Sequence, residues 1–315
     1  MKAALAFCVL AAGCGGVVKR PITSTDTSIE LEQVTRGSDN EIDPAISPDG
    51  KSLAFTIART RESPMRVAVT TLRDPARPTY FSKDVLGRDA TWMPDGSGIV
   101  FVAKNAKTST EKIVQTFGQN EHRPVFLADV GNPFFAGARP SVAPNGKVVA
   151  VAMTDVSQHD STWPTTKRVE HGIGLTDLGG TGIELFGSGT DPAWSPDGKH
   201  IAFVRGKHLF VANADGTSPT QITDGPADDQ TPSWSPDGKD IVFCSAHGEE
   251  ELVQANLFVI HADGTGMVQL TEGDRISCHP TWSRDGYVYF HANQGGQFHI
   301  WRVRVKQTPS VPPTE

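Results

Sequence analysis

The stretch DPAWSPDGKHIAF, residues 191–203, decides the fold, because it places a tight turn between two segments with strand character. Proline presets the backbone of a turn, aspartate bonds to the local backbone, and glycine accepts the conformation that ends the turn. The apolar run that follows the turn is typical of a strand buried on both faces. Residues 191–203 therefore predict a β-hairpin.

The same pattern occurs six times in the chain. The copies are DPAISPDGKSLAF from Asp43, DATWMPDGSGIVF from Asp89, RPSVAPNGKVVAV from Arg139, DPAWSPDGKHIAF from Asp191, TPSWSPDGKDIVF from Thr231 and HPTWSRDGYVYF from His279. The acid or amide of the turn stands at positions 49, 95, 145, 197, 237 and 285, so successive copies lie 40 to 52 residues apart. This period matches one four-stranded propeller blade. The predicted fold class is all-β, a six-bladed β-propeller of four-stranded blades.

The two ends of the chain complement each other. The sixth copy has three strand segments and then a polar tail, residues 306–315, which we expect to be disordered. Residues 29–35, IELEQVT, resemble the fourth-strand segments PTQIT (219–223) and MVQLT (267–271). We therefore predict that this N-terminal strand pairs onto the last blade. The pairing would close the ring, cover a sheet edge and give a propeller that spans residues 29–305.

The repeat, WSPDGKHIAF above all, resembles that of the TolB-like propeller family, which also occurs in the tricorn protease and in prolyl-oligopeptidase-like enzymes. The resemblance covers about residues 29–305 and implies the propeller fold. TolB carries an α/β domain before its propeller, and residues 15–28 leave no room for one. The expectation is a TolB-like propeller without that domain, and TolB's own partners are not carried over.

Residues 1–13 have the order of an export signal: a positive charge at Lys2, a short apolar run and small residues at the end. The segment LAAGC, residues 10–14, resembles the lipobox of bacterial lipoproteins. That resemblance implies cleavage before Cys14 and lipid modification of its thiol. The alternative is an ordinary secretory signal in which Cys14 is incidental.

Residues 14–28 are rich in small and polar types, which indicates a flexible tether between the lipidated cysteine and the propeller. In the lipoproteins that the chain resembles, a glycine after the cysteine, here Gly15, favours the outer membrane. The expected location is the periplasm of a Gram-negative bacterium, at the outer membrane. The lipid is the expected attachment to the membrane.

The formal net charge of −7 lacks the basic stripe that phosphate binding needs, so we expect no nucleic-acid partner. Cationic or neutral partners fit better: a periplasmic protein or peptide, or a component of the cell wall. The protein is expected to be a monomer.

Sequence signatures of catalysis are absent. There is no Gly-x-Ser-x-Gly elbow, no phosphate-binding glycine loop, no His-Glu-x-x-His and no Cys-x-x-Cys. The sequence therefore favours a non-catalytic binding or interaction scaffold, with no cofactor expected.

One constellation follows from the geometry of a propeller, because the first strand of each blade lines the central channel. The residues at the heads of these strands are Asp43, Asp89, Arg139, Asp191, Thr231 and His279. Their side chains at one channel mouth would suit a cation, a metal ion or a charged peptide end. A divalent cation there would support the alternative function, a metal-dependent hydrolase or lyase. The structural alternative is that the acids cap the strands by accepting backbone N–H bonds.

Cysteines and tryptophans supply the remaining candidates. Cys244 and Cys278 fall near the same propeller face on neighbouring blades, so a disulfide is feasible, and two isolated buried thiols are the alternative. Trp163, in a long connection, is a candidate for partner contact or an anchor for its own loop. Four tryptophans share one repeat position and are expected to pack between blades rather than to form a ligand platform: Trp92, Trp194, Trp234 and Trp282.

Overall fold

The computed structural model describes residues 30–60, 63–80, 86–104, 111–117, 121–126, 139–157, 168–178, 183–247, 254–273, 276–294 and 296–305. Within these ranges the regular elements are 24 β-strands in six four-stranded antiparallel sheets. The predicted all-β propeller of six blades is confirmed. In the same ranges no helix has the length and apolarity needed to cross a bilayer.

Blades one to three each use four consecutive strands. Blade one consists of β2 (Asn40–Ile46), β3 (Ser52–Ala58), β4 (Arg66–Thr71) and β5 (Asp74–Tyr80). Blade two consists of β6 (Leu86–Trp92), β7 (Gly98–Lys104), β8 (Glu111–Phe117) and β9 (Glu121–Phe126). Blade three consists of β10 (Ser141–Val142), β11 (Val148–Ser157), β12 (Arg168–Asp177) and β13 (Ile183–Ser188).

Blades four and five repeat this order, and blade six combines the two ends of the chain. Blade four consists of β14 (Thr190–Trp194), β15 (His200–Arg205), β16 (His208–Asn213) and β17 (Thr220–Gln221). Blade five consists of β18 (Asp228–Trp234), β19 (Asp240–His247), β20 (Gln254–His261) and β21 (Val268–Gln269). Blade six consists of β22 (Ser277–Trp282), β23 (Tyr287–Ala292), β24 (His299–Arg304) and β1 (Leu31–Gln33).

The predicted closure of the ring is confirmed, because β1 pairs with β24 in antiparallel register, with Leu31 opposite Val303. The same hydrogen bond then recurs in three blades. The hydroxyl of Thr35 accepts the N–H of Ile300 at 2.9 Å. Two threonines at the corresponding position, Thr223 in blade four and Thr271 in blade five, accept an N–H of their own third strands at 2.9 Å. The N-terminal segment is therefore the fourth strand of blade six in its hydrogen bonding as well as in its position.

The Pro-Asp-Gly turns are held by their own side chains. In blade one the hydroxyl of Ser47 donates to Asp49 at 2.6 Å, and Asp49 accepts the N–H of Lys51 at 3.0 Å. These bonds favour the carboxylate and lower the pKa of Asp49. The glycine that follows, Gly50, has φ of 71°, a left-handed conformation that a β-carbon would strain. Blades four and five repeat the Ser–Asp bond.

The hydrophobic core consists of six clusters in the described residues, and each lies between two neighbouring sheets. For example, Leu53 and Phe55 of blade one are fully buried against Tyr289 and Ile300 of blade six. This face-to-face packing accounts for the apolar second strands that the sequence shows. Because each blade packs on two neighbours, the ring fixes the positions of the six inner strands around the channel.

Candidate functional site at the channel mouth

The six residues at the heads of the inner strands share an unusual backbone. They have φ between 21° and 57°, and among the described non-glycine residues only Ser218 shares this positive sign. In five blades the strand register shifts at this residue, for example between Ile42 and Ala45 of blade one. A bulge of this kind redirects a side chain. We call these residues the channel ring: Asp43, Asp89, Arg139, Asp191, Thr231 and His279.

All six members of the channel ring line one cavity of about 360 Å³. The cavity extends from the ring to the prolines of the Pro-Asp-Gly turns, such as Pro48, Pro196 and Pro236. Its walls also include Trp194 and Trp234. The structure therefore places these six positions around one space in the channel, and the ring forms one end of that space.

The charged members of the ring are connected to one another. The Nδ1 atom of His279 directly contacts both Oδ1 of Asp43 and Nη2 of Arg139. Arg139 also holds Asp191, with 3.1 Å between Nε and Oδ1. Four of the six predicted residues thus form a single network. In the described residues the acids of this network contact side chains, and not the backbone N–H groups that strand capping would use.

The other two ring members have different surroundings. Asp89 pairs with Arg88, whose guanidinium also binds Glu111 at 2.9 Å. Thr231 is buried, and its hydroxyl lies 4.0 Å from the sulfur of Cys278. The ring therefore has an ionic side formed by blades one, two, three, four and six, and a neutral side at blade five.

His291 belongs to the site, and the sequence analysis missed it. It lies on β23, where it pairs with Cys278, and its side chain is 8% exposed. Its Nδ1 accepts the N–H of Asp43 at 3.2 Å and lies 3.8 Å from Oδ1 of Asp43. Its ring centroid is 4.4 Å from that of His279. We call Asp43, His279 and His291 the rim cluster.

Burial controls the protonation of the site. It raises the pKa of Asp89, which Asp43 also raises by repulsion, and it raises the pKa of Asp191. Burial and the positive charge of Arg139 lower the pKa of His279 well below its usual value. Burial and the neighbouring His279 do the same to His291. Both imidazoles are therefore neutral at neutral pH, so each has a nitrogen lone pair to offer.

The cysteine pair borders the site. Cys244 and Cys278 form a disulfide in the structure, with their Cα atoms 5.0 Å apart. Because Cys278 directly precedes His279, this bond ties the ring residue of blade six to blade five. Trp163 and Cys14, the candidates for partner contact and lipidation, lie outside the described residues.

The repeated tryptophans pack between neighbouring blades, as expected. The indole N–H of Trp92 donates to the carbonyl of Ala45 in blade one at 3.0 Å, and that of Trp234 donates to Ala193 in blade four at 2.9 Å. Trp194, Trp234 and Trp282 also line the cavity, so Trp234 both joins two blades and forms part of the cavity wall.

Comparisons with known proteins agree with this architecture. The family model described as the dipeptidyl peptidase IV N-terminal region matches residues 176–230, and no curated protein matches the sequence. The TolB structure from Agrobacterium tumefaciens is 18% identical with a TM-score of 0.61, over 88% of this chain and 98% of that one. The oligogalacturonate lyase from Vibrio parahaemolyticus is 13% identical with a TM-score of 0.57, over 91% and 96%.

A second TolB, from Acinetobacter baumannii, is 17% identical with a TM-score of 0.55, and the alignment covers 86% of this chain and 65% of that one. The fold and the ring of inner residues define a six-bladed propeller with a polar channel. More particularly, its fold is similar to that of the TolB propellers. At these identities the likeness concerns the fold, and the function has to be argued from the site.

Proposed function

We propose that the protein is a non-catalytic binding propeller that holds a segment of a peptide or protein partner in its channel. The observation that carries the proposal is the cavity of about 360 Å³ that ends on the channel ring. A volume of this order is within the range of small-ligand sites, so it suits a short segment rather than a folded surface. Proline and tryptophan side chains wall the cavity, and charged groups form its end.

The charges at the end of the cavity favour a basic group on the partner. The ring contributes three carboxylates, and the imidazole of His279 is neutral at neutral pH. Arg139 and Arg88 oppose part of the negative charge, and Glu111 adds to it. A lysine or arginine side chain, or a free amino terminus, would therefore find complementary charge at the ring.

Binding of labelled short peptides to the full chain tests this proposal. Thr91→Trp places a large side chain in the channel wall, and Thr79→Trp places the same side chain on the exposed outer strand of blade one. We expect Thr91→Trp to abolish the binding of basic peptides and Thr79→Trp to preserve it, with acidic peptides binding neither variant nor wild type. Binding that survives Thr91→Trp would contradict a channel site, and binding of soluble cell-wall fragments instead would change the class of partner.

We further propose that the protein acts in the periplasm, attached through lipid on Cys14 at the outer membrane. The LAAGC segment and the TolB-like fold support this location. In a Gram-negative host, metabolic labelling with a fatty acid should mark the wild type, and the label should be absent from a Cys14→Ser variant that is released from the membrane fraction. An unlabelled wild type would contradict the anchor.

A metal-dependent lyase or hydrolase is the second candidate function, favoured by the convergence of His279, His291 and Asp43 in the rim cluster. Two structural neighbours are described as oligogalacturonate lyases, one of them in complex with manganese. Incubation of the full chain with oligogalacturonate and Mn²⁺, followed by ultraviolet absorbance of unsaturated products, tests this candidate. Product formation that requires His291 would replace the binding proposal, and its absence would leave this candidate without support.

A further inference from the structure

The rim cluster brings together three side chains that are ligands for metals. One ligand atom from each of Asp43, His279 and His291 lies within 4.8 Å of the other two. We propose that these three residues bind one divalent first-row transition metal ion, of which Zn²⁺ is the representative probe. The proposal does not depend on which partner occupies the channel.

The donor set selects the class of metal. Imidazole nitrogen suits Zn²⁺ and its neighbours in the transition series, whereas Ca²⁺ and Mg²⁺ prefer sites built from oxygen. Two imidazoles and one carboxylate are also the number of protein ligands in a site that keeps a position open. That open position would face the cavity, because Asp43 and His279 both line it.

The fold holds the three ligands on rigid elements. Asp43 and His279 occupy the left-handed bulges of adjacent inner strands, and His291 lies on the strand next to His279. Their side chains are 10%, 26% and 8% exposed, so each is confined by packing. The disulfide at Cys278 and the Phe298 ring, whose centroid is 5.1 Å from that of the His291 ring, support these ligands from behind.

The two contacts of His279 Nδ1 make opposite demands on that nitrogen. Its Nδ1 faces a carboxylate oxygen, which requires a hydrogen on the nitrogen, and it also faces an N–H of Arg139, which requires a lone pair. One nitrogen of a neutral imidazole cannot satisfy both partners. A metal ion between Nδ1 and Asp43 would use the lone pair and the carboxylate together, and it would displace the guanidinium and the 3.2 Å bond from the Asp43 N–H to His291.

Removal of Arg139 should change the metal affinity in the direction opposite to removal of a ligand. Its guanidinium lies 3.7 Å from the Asp43 carboxylate and is anchored to Asp191 through Nε. A positive charge at this distance opposes a bound cation. Removing the charge should tighten metal binding, whereas loss of a residue that merely supports the fold would weaken it.

Equilibrium dialysis of the full chain against Zn²⁺, with metal analysis of the protein, tests the proposal. We expect wild type to bind one Zn²⁺ per chain. His291→Ala should lower the Zn²⁺ affinity by more than about 100-fold, since the loss of residues that only support a ligand already costs about 10- to 100-fold in affinity. His261→Ala is the control, because that histidine is 41% exposed and pairs with Asp240 outside the cluster. Arg139→Gln should bind Zn²⁺ at least about tenfold more tightly. Co²⁺ should show ligand-field absorption that His291→Ala lacks.

Asp43→Asn keeps the shape of its side chain and provides a second ligand variant if His291→Ala does not fold. Wild type without stoichiometric Zn²⁺, full binding in either ligand variant, or weaker binding in Arg139→Gln would each overturn the proposal. A preference for Ca²⁺ over Zn²⁺ would overturn the assignment of the metal class.

Discussion

Thr35→Val tests how the ring is closed. Valine has nearly the shape of threonine but cannot accept a hydrogen bond, so the substitution removes one acceptor and little else. Thr35 is 1% exposed, so the N–H of Ile300, which it accepts at 2.9 Å, would be left without a partner in a dry environment. An unsatisfied buried donor costs about 1–3 kcal/mol, and we expect the free energy of unfolding to fall by that amount.

Thermal and urea unfolding, followed by tryptophan fluorescence, measure this loss. At roughly 2–4 °C per kcal/mol for a domain of this size, the melting temperature should fall by about 2–12 °C. Thr223→Val and Thr271→Val remove the same bond from blades four and five and should give losses in the same range. Thr220→Val, on an exposed position of β17, is the control and should stay within about 0.5 kcal/mol of wild type.

The comparison of blades makes the result decisive. If Thr223→Val destabilises the protein and Thr35→Val does not, β1 is not the fourth strand of blade six in solution. If both variants lose the same stability, the hydrogen bond from Ile300 to Thr35 contributes as much to blade six as the corresponding bond contributes to blade four.

Three further predictions concern the disulfide, the indoles and the turn acids. The Cys244→Ala, Cys278→Ala double variant should lose roughly 4 kcal/mol, because the bond joins residues 34 apart in the sequence. Reductant should lower the melting temperature of wild type and leave that of the variant unchanged. Trp234→Phe removes an indole hydrogen bond to the neighbouring blade, whereas the indole N–H of Trp194 has no hydrogen-bond partner in the described residues. In urea unfolding, Trp234→Phe should therefore lower the free energy of unfolding by about 1 kcal/mol more than Trp194→Phe does. The pKa of Asp237 is lowered by its serine hydrogen bond, so the stability contributed by the ionised carboxylate is present above pH 3.8 and is lost as the pH falls through the lower pKa of the folded protein. Asp237→Asn should therefore show a smaller drop in melting temperature across that acid range than wild type, and an equal drop would refute this.

The fold was predictable from the sequence because its determinants are local. Each Pro-Asp-Gly turn and the apolar run after it specify a hairpin without reference to the rest of the chain. The ring closure was predictable for the same reason, since Gln33 and Thr35 repeat a pair seen in two complete blades. The positions of the channel ring were also predictable, because each lies at the same sequence distance before the acid or amide of its turn.

The chemistry of the site was less accessible, because it depends on contacts between blades. His291 lies on the second strand of blade six, opposite Cys278, and it contacts Asp43 of blade one. The pairing of Arg139 with Asp191 joins two different blades and has no signature in the sequence. A histidine placed opposite Cys278 in the hairpin of blade six was the one available signal.

The backbone of the ring argues that its side chains have a role beyond the fold. Glycine is the residue that accepts a left-handed conformation without a steric penalty, yet none of the six ring positions is glycine. Aspartate and histidine tolerate this region better than most residues, but Arg139 and especially the β-branched Thr231 do not. Each is held there at a cost of about 1 kcal/mol or more, offset by the six clusters between the blades. The strained conformation recurs in every blade, and each of these positions carries a polar or charged side chain. A binding site explains this recurrence better than packing does.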